Sequence, residues 1–562
     1  MMAQQQSQKG IARQKVRLPL VGAYSNRDAT TGKDQRFINM IPETKKVEQI
    51  ENTKIYTNKR PGLSTLTDLA AGEGRNLMFF NGKWYATVGN KTYQIDENGA
   101  NPVVKITWTT TTPSVGATLG NSRVIGDYLF ICDGIEGYII KTDYTATKIR
   151  NDAVTSVSVT SGGTGFTDGT YALTFTGGGG AGATGTYTVV GNKVVSVALT
   201  DGGSGYTAAP AISFPLGGGS AASGSSTINY FPTPHIPVTT FIDGYIVVAK
   251  GSDVYTCVVD DPFSWLTTDY LTAEMFPDPI KSLARQNNQL VVFGSSSTEF
   301  FYDAANASGS PLSRNDGAVI QIGIAAPFCV YQNERFCIFV GQSESGGRAV
   351  WVIEGFQPKK ISDEYIERII DTETDMSDCH GYGLRTLGHM LFVLNLNTVN
   401  RTFVYDLDEK MWHEWSSTSV AFTQNQFAYG HAADNQVGKI KLLHNTTGDV
   451  VTLDPTVYLD VADPISCEIY TNKYDMDTYS RKFMSGATLV GDGYSTANVV
   501  QLSWSNDDYQ TWATDRPIDL NDTFPIAQQL GHFRRRAFRL RHSENKPLRL
   551  ESLEVVYDTG IS

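Results

Sequence analysis

The chain has 562 residues and a formal net charge of −12, with 41% hydrophobic, 11% aromatic and only 19% charged residues. That length is several times the ~100–150-residue domain mode, so one large repetitive domain with additions, or two to four domains, is expected. The negative balance excludes a broad sequence-independent DNA-binding surface, which works through Lys and Arg neutralising phosphates, and the 53 Gly, 27 Tyr and 26 Phe favour short strands and tight turns over helices.

The first residues, MMAQQQSQKGIARQKVRLPL, contain no apolar stretch of the kind a secretion signal needs. Apolar runs such as Leu391–Leu394 and Tyr245–Ala249 fall far short of the ~18 residues of a membrane span. Residues 1–75 read as an extended lead-in. From Asn76 onward a unit recurs in which a turn, a short aromatic-rich strand, a second turn and another strand follow one another. GRNLMFFNGKWYATVGNKTYQID places Asn81-Gly82 between two apolar runs, a strong hairpin signal, with Gly89-Asn90 before a third strand. The texture returns in GDYLFICDGIEGYII, IDGYIVVAKGSDVYTC, NNQLVVFGSSSTEFFY and GHMLFVLNLNTVNRTFVYDLDEKMWHEW. The intervals are those of propeller blades, so residues 76–152 and 230–464 are predicted to form a β-propeller-like core in a mainly β chain.

Composition changes at 153–229: between Val154 and Ser226 there are 18 Gly, and Lys193 is the sole basic residue. VTSVSVTSGGTGF (Val154–Phe166) and VVSVALTDGGSGY (Val194–Tyr206) repeat at an offset of 40. The alternating valines suit strands and the Gly-Gly-x-Gly-aromatic corners suit turns, so a small inserted β-module is predicted. Gly177-x-Gly179-x-x-Gly182 matches a dinucleotide-binding pattern there, but TGTYTVV after it reads as a strand, leaving no helix N-terminus for a pyrophosphate. One helix is predicted, Ile361–Thr372, with Ser362 as cap and Ile361, Tyr365, Ile366, Ile369 and Ile370 on one face. From 465 to 562 longer alternating runs predict a C-terminal β-sandwich.

Residues able to do chemistry are dispersed. Cys132, Cys257, Cys329, Cys337, Cys379 and Cys467 lack CxxC spacing and are expected reduced and buried. Asp378-Cys379-His380 and Met411-Trp412-His413-Glu414-Trp415 are dense in polar groups, yet alternate residues of a strand face opposite ways, so neither is expected to form a catalytic pair. The eight histidines suggest no zinc site, and no metal or other cofactor is expected. The basic cluster Arg534, Arg535, Arg536, Arg539 and Arg541 is the exception. Read as a strand, it puts Arg535, Arg539 and Arg541 on one face, opposite Phe538 and Leu540, without interleaved aromatics. These three arginines are the candidate contact for DNA or an acidic neighbouring subunit, weighed against a merely solvated face.

Ser505-Asn506-Asp507-Asp508-Tyr509-Gln510-Thr511-Trp512 resembles the Asp-box turn of sialidase-type propellers and other β-proteins, with Tyr509 in the place of its glycine. That motif is a folding element and implies no glycosidase chemistry. The stretch Leu290–Ile370, with FGSSSTEFFY, the GIAAP turn, a strand pair ending AVWVIEG and a closing helix, resembles the packaged-DNA stabilisation family, the tail-hub or nozzle proteins of short-tailed bacteriophages. RFINMIPE (Arg36–Glu43) and KRPGLST (Lys59–Thr65) resemble the start of the same family. The resemblance implies a non-enzymatic virion protein of the tail, made in the host cytoplasm. It implies six copies in a ring below the portal and adaptor, retaining packaged double-stranded DNA, conducting it without sequence specificity and carrying fibres, spikes or a needle, with no membrane insertion. The rivals are a propeller-fold glycan-degrading enzyme, which needs paired carboxylates ~5–9.5 Å apart, and a receptor-binding fibre protein.

Overall fold

The computed structural model describes residues 13–21, 35–45, 54–273, 275–276, 278–306, 308–343, 347–417, 421–435 and 437–560. The fold is mainly β, with a β-propeller core, and Glu364–Thr372 is the sole α-helix among the described residues. The chain divides into two compact units, residues 1–104 with 324–562, and residues 105–323.

The first unit contains blade-like antiparallel ladders. One is Val330–Gln332, Phe336–Gln342, Arg348–Glu354 and Gln357–Lys360; another is His380–Thr386, His389–Leu396, Arg401–Asp406 and Met411–Trp415. A third combines Tyr429–Asp434, Ile440–His444 and Asp449–Asp454 with Gly62–Asp68 from the other end of the chain. Gly74–Phe80, Lys83–Val88 and Lys91–Ile95 follow. Asn81-Gly82 makes the expected tight turn, with φ of 47° and 75°. Gly62 starts its strand where a Cβ would lie 2.5 Å from the carbonyl oxygen of Val457, so no other residue fits without moving backbone.

The helix packs Tyr365, Ile366 and Ile370 against Phe392, Leu394, Phe403 and Trp412, the inner face of the second ladder. Its cap is Asp363 rather than Ser362: the Asp363 carboxylate accepts the N–H groups of Tyr365 and Ile366, both at 3.0 Å. Ser362, one residue too early, binds the Val350 N–H and the Glu367 carboxylate instead.

A continuous nine-stranded sheet joins the second ladder to the C-terminal region. After Met411–Trp415 come Arg36–Ile38, Cys467–Tyr470, Ala537–His542, Val499–Ser505 and Arg516–Asp519. Its C-terminal part faces a seven-stranded sheet that includes Met40–Lys45, Lys54–Lys59, Lys482–Gly491 and Arg549–Thr559. Phe37, Ile469, Leu489, Leu502, Phe538, Leu540 and Val555 fill the space between, which makes this end the expected β-sandwich.

The second unit holds three four-stranded ladders: Gly116–Ser122 to Ala146–Lys148, Thr240–Ile242 to Asp261–Thr272, and Ile280–Gln286 to Leu312–Ile320. Between the first two lies the glycine-rich segment, folded as two sheets. Val154–Thr164 pairs with Ser220–Ile228, and Lys193–Ser204, Ala181–Val190, Gly169–Thr176 and Ala211–Ser213 form the other. The sequence duplication becomes two equivalent strands, Val154–Thr164 and Lys193–Ser204, each leading to a buried aromatic, Phe166 and Tyr206. Glycines seat both rings. A Cβ on Gly219 would come 2.1 Å from Phe166, and one on Gly180 would come 2.5 Å from Tyr206. Gly219→Val is therefore expected to unfold this module at a temperature that leaves the propeller's near-ultraviolet signal intact, which calorimetry with two resolved transitions would show. Gly177, Gly178 and Gly179 form a left-handed turn between two strands, so the dinucleotide-like pattern has no helix behind it.

The module is reached through a narrow neck. The Asn229 amide group donates to the carbonyls of Arg150 and Phe263, its oxygen accepts the Trp265 N–H, and the Asn229 N–H bonds the Ala153 carbonyl at 3.2 Å. The chain leaves and returns at nearly one point, so joining Ala153 directly to Asn229 is expected to leave the parent ladder folded. The shortened protein should keep its circular dichroism and melt within a few degrees of the full chain; loss of the Trp265 environment in fluorescence would contradict this.

Candidate partner-contact surface

Arg539 and Arg541 lie on the strand Ala537–His542 and share a face of the nine-stranded sheet, as alternation predicts. Arg535 does not belong to that strand. It lies in the turn before it, because the chain reaches the sheet only at the isolated bridge between Arg536 and Tyr474. Arg536, in phase with Phe538 and Leu540, is buried. Its guanidinium lies between Phe533 and Trp504, donates to the Asn506 side chain and the His532 carbonyl, and is pushed down to about 9 by burial.

The exposed-looking arginines are held by carboxylates of their own chain. Arg541 Nε donates to Glu468 at 3.0 Å, Arg539 approaches Asp515 at 3.5 Å, and Arg535 donates to Asp508 at 3.0 Å. Aromatics underlie the row after all, supplied by neighbouring segments: Arg539 stands 4.5 Å from the Trp512 ring centre and Arg541 4.8 Å from that of Phe422. A single strand's sequence does not contain its neighbours' side chains. The row continues across the sheet with residues separated by hundreds of positions. Tyr470 donates to Glu468, Arg36 stands over the Tyr470 ring, and Arg36 and Arg401 both donate to Glu414. Charges alternate across the strands from Arg401 to Asp515. Of the three candidate arginines Arg535 keeps the most side-chain surface, 44% against 11% for Arg539 and 21% for Arg541. Arg534 beside it donates to the Tyr479 carbonyl and stands over the exposed Tyr479 ring.

The other polar words disperse. Cys379 is buried while His380 stacks on Phe328 and meets His431 edge to face, so thiol and imidazole are not paired. Glu414 faces the arginines and His413 the opposite side of the sheet. All six cysteines are buried and free, and burial raises the Cys337 thiol to about 12, the reverse of an activated nucleophile. The Asp-box turn forms despite its tyrosine: Asp507 accepts the Thr511 N–H, Ser505 accepts the Tyr509 N–H, and Tyr509 holds a φ of 67°. Its hydroxyl donates to the Thr471 carbonyl at 2.7 Å, which ties a left-handed residue down. Among the described residues no helix is long and apolar enough to cross a membrane.

No curated protein matches the chain. Similar solved structures include a chain of an S. cerevisiae Dbp5 variant bound to Nup159, Gle1, IP6 and ADP, 11% identical over 75% of this chain and 96% of that chain, with a TM-score of 0.33. The Neurospora crassa Pan2 WD40 domain is 10% identical over 70% and 96%, with a TM-score of 0.28. BBS1N in complex with ARL6DN is 10% identical over 70% and 97%, with a TM-score of 0.32. At these scores the likenesses carry no functional argument. Residues 224–448 match the phage-stabilisation family model described as bacteriophage P22 Gp10, β-propeller, which is the family the sequence words resemble. Over these residues the chain is similar to the phage DNA-stabilisation family, whose described fold is a β-propeller.

Proposed function

We propose that this protein is a non-enzymatic hub or nozzle subunit of a short phage tail, forming a ring below the portal and adaptor that retains packaged DNA and extends its exit channel. The observation that carries this reading is the family match over residues 224–448, within a chain of net charge −12. An acidic wall repels the duplex it conducts instead of binding it. Six copies, and attachment of fibres, spikes or a needle, follow from the family reading. A ring requires head-to-tail contacts whose rotation closes, and the Arg534–Arg535–Tyr479 corner of the sandwich is a candidate for one of them, against an acidic face of the next subunit or the DNA itself. Arg539 and Arg541 are more deeply held by Glu468 and Asp515 and serve the same contact only by giving up those partners.

The test is DNA retention. Purified protein added to DNA-filled heads that carry portal and adaptor but no hub should stop leakage of DNA, followed with an excluded dye, and appear as a ring on the heads. Protein that neither binds nor seals would return the choice to a receptor-binding or glycan-degrading role.

A further inference from the structure

The hairpin His389–Leu396/Arg401–Asp406 gathers three metal-competent side chains that are scattered in sequence. Its register pairs Leu391 with Asp406, and the Leu407 N–H bonds the Met390 carbonyl, so continuing the ladder brings His389 opposite Asp408. One donor atom from each of His389, Asp406 and Asp408 falls within 4.8 Å of the others. His389 Nδ1 lies 2.7 Å from Asp406 Oδ2, so the two side chains pair with each other when no ion is bound. Asp406 is fully buried and His389 is 6% exposed, whereas Asp408 is exposed and opens the group to solvent.

Local hydrogen bonds orient the carboxylates without exhausting them. Asp406 Oδ1 accepts the N–H groups of Asp408 and Glu409, leaving Oδ2 for the cluster. Asp408 Oδ2 accepts the Met390 N–H at 2.8 Å, leaving Oδ1. A second observation comes from the adjacent strand. His413 pairs with Val404, two residues from Asp406 and on the same face of the sheet. It is 3% exposed, and neither ring nitrogen has a hydrogen-bond partner among the described residues. Buried imidazoles nearly always find a partner, and the charges of Asp406 and His389 act on this one.

From this arrangement we infer that His389, Asp406 and Asp408 form a binding site for a single divalent transition-metal ion of the zinc class, with His413, on the same face of the adjacent strand, as the partner of a bound water. Imidazole with carboxylates in a three-ligand set is suited to Zn2+ or Mn2+, and an ion there ties together the two turns at the open end of the hairpin, 387–388 before it and 407–410 after it. The role is structural: the group lies within one ladder and requires no change of fold to form.

The experiment is Zn2+ titration of the chelator-stripped, dialysed full-length protein by calorimetry, with melting recorded in parallel. One Zn2+ per chain is expected, with a higher melting temperature in its presence. Asp408→Asn keeps an acceptor for the Met390 N–H and changes an exposed side chain, so it should fold like the parent without metal and bind Zn2+ at least tenfold more weakly. His389→Gln should likewise weaken Zn2+ binding at least tenfold. Absence of stoichiometric binding by the parent chain, or binding unaltered in both variants, overturns the site and leaves an internal ion pair.

Discussion

Replacing Arg60 by methionine is expected to destabilise the protein by about 3–5 kcal/mol, the cost of breaking a buried ion pair from one side. Arg60 has no exposed surface, and all five of its N–H donors are satisfied. Nε donates to Asn39 at 2.7 Å; Nη1 donates to Asp460 at 2.8 Å and to the Pro61 carbonyl at 3.0 Å; Nη2 donates to Asp460 and to the Ser416 carbonyl at 3.2 Å. The guanidinium also stands over Phe427 and Trp415, at 5.0 and 5.8 Å from the ring centres. Methionine fills much of the volume but leaves the Asp460 carboxylate, 8% exposed, without its counter-charge. Urea unfolding of R60M measures the loss, and a change below about 1 kcal/mol would refute the assignment. The double variant R60M/D460L should recover part of it, because removing both charges removes the orphan.

This node ties together two short words of the lead-in segment. Asn39, in RFINMIPE, holds a left-handed backbone with φ of 56°, accepts Arg60 Nε and the Ser416 N–H, and donates to the carbonyls of Ser416 and Ser466. Arg60, in KRPGLST, is followed by the Gly62 that only glycine can occupy. The words are 21 positions apart and meet in space. What lies between them on the third side, Asp460, is 400 residues from Arg60 and invisible to any local pattern.

The same division runs through the molecule. Alternation, turn residues and glycine-aromatic corners are local, so the ladders, the duplicated module, the sandwich and the helix could be read from the sequence. Cross-strand partners are not local. The arginine row was legible only at Arg539 and Arg541, whose own strand shows them; Arg36, Arg401 and their shared Glu414 required knowing that Arg36–Ile38 inserts beside Met411–Trp415. Arg535 was misplaced because a turn interrupts the alternation, and the helix cap because Ser362 and Asp363 are both good caps and only the backbone decides which stands at the boundary. The histidine–aspartate group depends on hairpin register, which composition does not give.

Lowering the pH should erode stability through Glu414 in a defined window. Burial pushes its carboxyl up, but Arg36 and Arg401 outweigh burial and hold it down at about 2, against an ordinary value of 4.5. A carboxyl depressed in the folded state contributes stability that is fully present above the unfolded value and is lost as pH falls toward the folded one. The difference corresponds to about 3 kcal/mol at neutral pH, and by pH ~3.5, one unit below the unfolded value, about 1 kcal/mol of it should be gone. Glu414→Gln removes the titrating group and leaves Arg36 and Arg401 facing a neutral amide. The unfolding free-energy difference between the parent and E414Q should therefore be largest near neutrality and shrink on acidification from about 4.5, while remaining flat between pH 6 and 8. A difference independent of pH down to about 3 would mean that the two arginines hold Glu414 by geometry alone and not by charge. In that case the row would still join blade to sandwich, but without the ionic coupling across Arg36–Ile38 that the structure displays.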